Sequence, residues 1–239
     1  MNHVFPMAGG YDRAITVFNP EGRLLQVEYA LTATKQSAIC FGMKCIDGVI
    51  LGARKGVTSP LMEEAEKVFK IDEHIGAVFA GLRSDGRVLV ARGRLEAQIN
   101  RLTFGEPITV EALANRIAEY EQVHTQYAGS RPFGVLMIIG GVDTKPRLMM
   151  THLSGFYLPY KAYAVGMGSQ TARQVFEEEY RDDMNIDDGM KLAIKAVQKA
   201  AEKKVPPDDL EIAVIRVEDK KFTRLTPEEV KKYFRAAGY

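Results

Sequence analysis

Gly166, Gly168 and Ala172 in the stretch VGMGSQTA, Val165 to Ala172, make a G-x-G-x-x-x-A pattern between a strand-like run and a helix-like one. Glycines so placed let a backbone approach a pyrophosphate, so the chemistry suggested is dinucleotide binding. A dinucleotide unit also requires a parallel strand after the helix, ending in an acidic residue. Here Asp187 and Asp188 precede a second helix instead, and a tight strand-to-helix turn that needs glycine is the better reading. His3, His74, His124 and His152 lie at no metal-ligand spacing from one another or from a cysteine, so no metal is expected. Cys40 and Cys45 stand five apart in an apparent strand, which turns their side chains to opposite faces and argues against a shared disulfide or metal. No G-x-S-x-G, P-loop or paired-cysteine motif occurs, and no cofactor is expected. The run EEEYRDD reads as a solvated helix face, and VPPDDLE as a turn. On residue types alone, the chain carries no active site.

The elements that would position any site are clearer. The chain has 239 residues with 46% hydrophobic content, which fits an ordinary globular protein. At this length roughly 70–75% of the unfolded surface can be buried. Lys plus Arg is 32 against 31 for Asp plus Glu, a net charge of +1. That balance removes the electrostatic case for nucleic acid or an anionic membrane as partner. No run reaches the roughly 18 apolar residues of a membrane span. The opening MNHVFPMAGG lacks the basic and apolar regions of a signal peptide. A soluble, cytoplasmic chain is expected.

SAICFGMK and GVILGARKG read as a hairpin turning at Asp47-Gly48, and KVFKID and IGAVFAGL as a second one around Glu73-His74. Together they suggest four strands of one antiparallel sheet. Val88, Ala91, Leu95, Ile99 and Leu102 fall at helical spacing. So do Val110, Leu113, Ala114, Ile117 and Tyr120, after Thr109 as N-cap. Strands resume with GVLMIIGGV, RLMMTHL and the longer FYLPYKAYAVG. Another helix pair follows, the first capped by Ser169. EIAVIRV and KFTRL form a last hairpin around Asp219-Lys220, and Thr226, Pro227 and Glu229 make a capping box for a final helix. Strands, helix pair, strands, helix pair, strands, helix is not the order of alternating βαβ units. It predicts an α+β chain, a four-layer αββα sandwich of two stacked antiparallel sheets flanked by helices over residues 37–239.

Residues 1–36 belong to none of those layers. NPEG, with Pro20 second and Gly22 fourth, is type I turn chemistry. Leu24, Leu25, Val27, Tyr29 and Leu31 then alternate with Arg23, Gln26 and Glu28 in a short amphipathic helix. The run YDRAITVFNPEGRLLQVEYA resembles the N-terminal signature of proteasome α-subunits. The resemblance continues, in the family's order, through FGMKCIDGVIL, EKVFKID, FAGLRSDGRVLV, TQYAGSRPFGV, YKAYAVGMGSQTA and DDLEIAVIRV. The fold it implies is that of the N-terminal-nucleophile hydrolases, which is the sandwich already read.

That family holds catalytic β-subunits, whose nucleophile is an N-terminal threonine with its own amine as base. Laid on the β pattern, Ala38 stands where that threonine would be and Arg54 where its supporting acid would be. Lys67 matches the lysine that lowers the threonine's pKa, but thirty-seven residues precede Ala38 and no Gly-Thr processing site does. The resemblance thus implies a non-catalytic chain of the α type, part of a threonine endopeptidase complex in protein degradation. Its implied partners are other α-subunits in a seven-membered ring, β-subunits, unfolded protein substrates, and an ATPase activator ending in a hydrophobic-tyrosine-any tail. Residues 1–10 would form a gate set by Tyr11, Asp12, Pro20 and Tyr29. Lys67 would pair with the activator's terminal carboxylate, beside Gly81, which leaves room for the tail, and Ser37 and Leu24. Tyr127, Ala128, Gly129 and Ser130 match the loop ringing the pore; the family often has glycine where Ser37 and Ala128 stand.

Overall fold

Alternation along CFGMKC turns Phe41, Met43 and Cys45 to one side and Cys40 to the other, and both sides are buried. A strand buried on both faces must lie in a middle layer, between a second sheet and a cover of helices. The computed structural model describes residues 16–56, 61, 66–127 and 129–239. In it β1 (Cys40–Cys45) and β2 (Gly48–Arg54) form the first hairpin, and β3 (Val68–Asp72) and β4 (Ile75–Gly81) the second. β5 (Val135–Val142), β6 (Pro146–His152) and β7 (Phe156–Pro159) follow as a meander, then β8 (Ala162–Val165), β9 (Leu210–Arg216) and β10 (Phe222–Arg224). All pairings are antiparallel, and the strands form two five-stranded sheets, β10-β9-β2-β1-β8 and β3-β4-β5-β6-β7.

The two hairpins therefore do not share a sheet. β2 pairs along its whole length with β9, from Gly48↔Arg216 to Arg54↔Leu210, which leaves no edge for β3. FYLPYKAYAVG likewise divides between the sheets. Tyr160 N–H still donates to the Leu148 carbonyl oxygen of β6, while the Lys161 carbonyl oxygen accepts from Lys44 of β1. One peptide makes the crossing.

Helices α1 (Leu25–Lys35), α2 (Arg83–Phe104), α3 (Val110–Gln126), α4 (Ser169–Glu179), α5 (Ile186–Ala200) and α6 (Pro227–Ala236) complete the chain. α2 and α3 cover the β3–β7 sheet, and α4, α5 and α6 cover the other. Val49, Leu51, Val78, Ile138 and Ile215 fill the space between the sheets. The expected sandwich is thus observed. Thr109 caps α3 by accepting from Ala112 N–H, and the Thr226–Glu229 capping box of α6 is complete in both directions. Ser169 does not cap α4. Gly168, at φ +74, holds the cap position and makes Ser169 the first helical residue. No helix among the described residues is long and apolar enough to cross a membrane.

The apolar stripe read on α2 faces outward. Val88, Leu95, Ile99 and Leu102 are exposed, while Gly86, Leu89, Val90, Gly93 and Ala97 are buried against the sheet. Small residues let the helix axis approach Phe79 and Ile71 closely, and this narrow face wins the core side. The larger side chains are left as an uncovered apolar row.

Candidate functional site

One end of the molecule gathers most of the residues singled out by sequence. The turn before α1 forms as its chemistry dictates. Gly22 N–H donates to the Asn19 carbonyl oxygen at 2.9 Å, and the Asn19 side chain accepts from the N–H groups of Glu21 and Arg23 at 3.1 and 2.8 Å. Pro20 stands inside that turn. Arg23 then pairs with Glu21 and, at 3.2 Å, with Glu28, tying the turn to the first helical residues. α1 buries only Val27 and Thr34; Leu24 is half-buried at its N-cap and Tyr29 is exposed. Tyr11 and Asp12 lie outside the described residues, as does Ala128.

Just before β1, Ser37 and Ala38 are half-buried against the loop that follows β8. Met167 N–H donates to the Ser37 carbonyl oxygen at 2.8 Å. A Cβ on Gly166 would fall 2.7 Å from the Ala38 carbonyl oxygen, and one on Gly168 2.3 Å from that of Ala200. The space a pyrophosphate would need is filled by the chain itself, and α4 leads into α5 rather than a parallel strand. The glycines serve the turn. Ala38 carries only a methyl group, with no hydroxyl to react. Arg54 is engaged by Asp209, Nε to Oδ2 at 2.5 Å.

Lys67 enters β3 from the same end. Its backbone N–H donates to Glu211 Oε2 at 2.8 Å, and its side chain is half-buried. Burial first, and the Arg83 guanidinium second, hold its ammonium below the usual lysine range, against Cys40 and Glu211. A cation partly out of water with a second cation at hand is a site that an incoming carboxylate would stabilise. Burial also pushes both thiols up, that of Cys45 to about 12, so neither is a ready nucleophile.

Gly81 closes β4 at φ +131, and a Cβ there would fall 1.9 Å from the Gly134 carbonyl oxygen. The sheet's own backbone requires this glycine, independently of any docked tail. Gly134 in turn meets Leu82 and Ala33, so α1, the start of α2 and the start of β5 converge here. The loop after α3 has Tyr127 exposed, Gly129 at φ +89 and Ser130 N–H donating to the Tyr127 carbonyl oxygen at 3.3 Å.

Sequence reasoning missed what anchors that loop. Arg131 grips Asp85 of α2 with both terminal nitrogens, at 2.6 and 2.8 Å, and Gly134 N–H donates to the same carboxylate at 2.9 Å. No local signal could have found it, since the two residues stand 46 apart in sequence. Burial alone would raise the Asp85 carboxyl. The Arg131 and Gly134 hydrogen bonds and the Arg131 charge outweigh it and hold the group below the usual carboxylate range. A depressed carboxyl contributes stability above its unfolded pKa and loses it as pH falls through the folded one. Asp85→Asn should therefore lower the melting temperature by a gap that is constant above about pH 5 and closes below about pH 4. Melting curves of both proteins across that range check this; a gap that widens on acidification counts against it.

Among the described residues, no group of three His, Cys, Asp or Glu side chains could hold a metal ion. Residues 34–215 match the family described as "Proteasome subunit", and residues 11–33 match the N-terminal signature of its A-type members. The chain is 51% identical over 229 residues to the proteasome α-subunit of Thermococcus sibiricus, covering 95% of this chain and 88% of the relative. With that of Archaeoglobus fulgidus it shares 51% over 231 residues, 96% and 94% of the two chains. With that of Methanosarcina acetivorans it shares 51% over 227 residues, 94% and 92%.

Proposed function

Since this chain belongs to the proteasome subunit family and carries its α-type signature, we propose that it is a non-catalytic wall and gate of the particle. Seven α-subunits form an outer ring over a ring of β-subunits. Residues 1–36 act as gate tail, turn and ring-bridging helix, and residues 37–239 as the sandwich that supports them. The ring admits unfolded protein to a cytoplasmic chamber and docks an ATPase whose tail carboxylate meets Lys67.

The position of α1 is the observation that most favours this reading. A helix that buries two residues against its own fold and exposes Tyr29, after a turn exposing Val17 and Phe18, has apolar surface left for a neighbour. The outward row on α2 is a second such surface. Ala38 and the Arg54–Asp209 pair support the absence of peptidase chemistry in this chain.

Removing residues 2–10 and assembling the shortened chain with β-subunits tests the gate. Hydrolysis of a short fluorogenic peptide should rise several-fold over the full-length particle, with the peptide-bond preference unchanged. A particle no faster after the deletion would show that this tail does not restrict passage.

A further inference from the structure

α3 carries a carboxyl group in surroundings that suit a charge poorly. Glu121 has no exposed surface, and neither side-chain oxygen has a hydrogen-bond partner among the described residues. The Thr151 hydroxyl of β6, itself fully buried, faces it short of good hydrogen-bond geometry, yet close enough to offset part of the effect of burial. The β6–β7 turn closes tightly over the same stretch of helix, since a Cβ on Gly155 would fall 2.3 Å from that of Gln122.

The ionisable groups of the packed elements supply no counter-charge. On α3 itself, His124 Nδ1 faces the Tyr120 carbonyl oxygen at 2.9 Å. On β6, burial keeps the His152 imidazole below its ordinary value, and its Nδ1 meets the Ser154 hydroxyl at 2.8 Å. Tyr157 of β7 is half-buried beside the α3 cluster, and β5 holds no ionisable residue. On α2, Arg92 pairs with Glu96 and lies over the Tyr120 ring at 5.1 Å. Burial drives the Glu121 carboxyl well above the carboxylate range, opposed only by Thr151. A carboxylate so placed takes up a proton rather than stay bare.

We propose that Glu121 is a neutral carboxylic acid in the folded chain and that releasing its proton to solvent unseats the last two turns of α3. The consequence lies five residues on. α3 ends at Gln126, and the loop from Tyr127 is held between that helix end and the Arg131–Asp85 pair. Ionised Glu121 must reach water, which it does only if the helix end lifts from β6. The loop would then lose one of its two supports, whatever passes through it.

The sign of the pH dependence follows. A carboxyl raised in the folded state contributes its full stability below the unfolded value and loses it as pH rises toward the folded one. Glu121→Gln keeps the shape without a charge to lose. Its melting temperature should match wild type at about pH 4 and below and exceed it by a margin growing about 3–5 °C per pH unit above about pH 5, until Glu121 ionises in the folded chain. Amide exchange in residues 117–127, compared at one alkaline pH, should be slower in the variant, and at about pH 4 equal. A margin independent of pH, or equal exchange at alkaline pH, overturns the proposal. Should the variant fold poorly, the infrared spectrum of the wild-type chain decides: a carboxylic-acid carbonyl band should persist at neutral pH, and its absence refutes a protonated Glu121.

Discussion

Lys67→Ala should leave particle assembly and small-peptide cleavage intact while weakening the binding of an ATPase tail about 30-fold or more. The resemblance to the family implies a match between this position and a lysine that serves a threonine nucleophile in β-subunits, with Ala38 in the nucleophile's place. What remains is a half-buried ammonium beside Arg83, held below its ordinary range by burial and by that neighbour. A tail carboxylate opposes both effects, since it adds negative charge where burial and Arg83 disfavour the cation. Removing one member of a partly desolvated pair costs about 2–5 kcal/mol, and 2 kcal/mol is already close to 30-fold in affinity. Arg83 remains in the variant, so the loss should sit at the low end of that range and deepen when Arg83 is also replaced. Binding of the ATPase to wild-type and variant particles measures it directly. Equal affinity in intact particles would leave Lys67 as a surface cation and no more.

Gly81→Ala should cost more than about 4 kcal/mol, the range reached when a substitution forces the backbone to move. Two requirements coincide at this residue. Its φ of +131 is one that side chains other than glycine rarely adopt, and the new Cβ would stand 1.9 Å from the Gly134 carbonyl oxygen. That oxygen already accepts from Leu82 N–H at 2.9 Å, so it cannot withdraw without breaking the junction of β4, α2 and β5. Gly129→Ala is the control: φ is +89, but nothing lies within 4 Å of its Cβ position. It should cost only the backbone term, about 1–2 kcal/mol. Urea titration of the two variants separates the cases. Equal midpoints would mean that the Gly134 contact relaxes freely.

The sandwich was legible because two periodicities survive in the sequence. Strand runs such as CFGMKC and EIAVIRV, and the capped stripes of α3 and α6, announce their own structure. Sheet membership was not legible, because a strand buried on both faces carries no mark of which neighbour it will take. β2 chose β9, 156 residues on in register at Arg54↔Leu210, over the nearer β3. The stripe on α2 misled for a different reason. Spacing finds the apolar side of a helix, but glycine and alanine in Gly86, Gly93 and Ala97 pack closer than leucine can. At the site, the turn was plain, since Asn-Pro chemistry acts locally, whereas α1 forms with only a weakly apolar face that buries Val27. The Asp85–Arg131 grip and the orphaned Glu121 depend on residues meeting across the fold, and no local pattern encodes them.

The order of strands within the sheets also sets an order in time. β3 to β7, with α2 and α3 between them, occupy one unbroken stretch from Val68 to Pro159, and each strand pairs with one already made. The other sheet joins β1 and β2 to β8, β9 and β10, whose last residue is Arg224. On a ribosome, the first sheet has all its strands before residue 160 is added. The second holds a lone hairpin, with apolar edges waiting, until nearly the whole chain has emerged. Such a hairpin is marginal by itself. The hairpin that follows Ala38 and ends at Arg54 is therefore the first to be synthesised and among the last to find its partners.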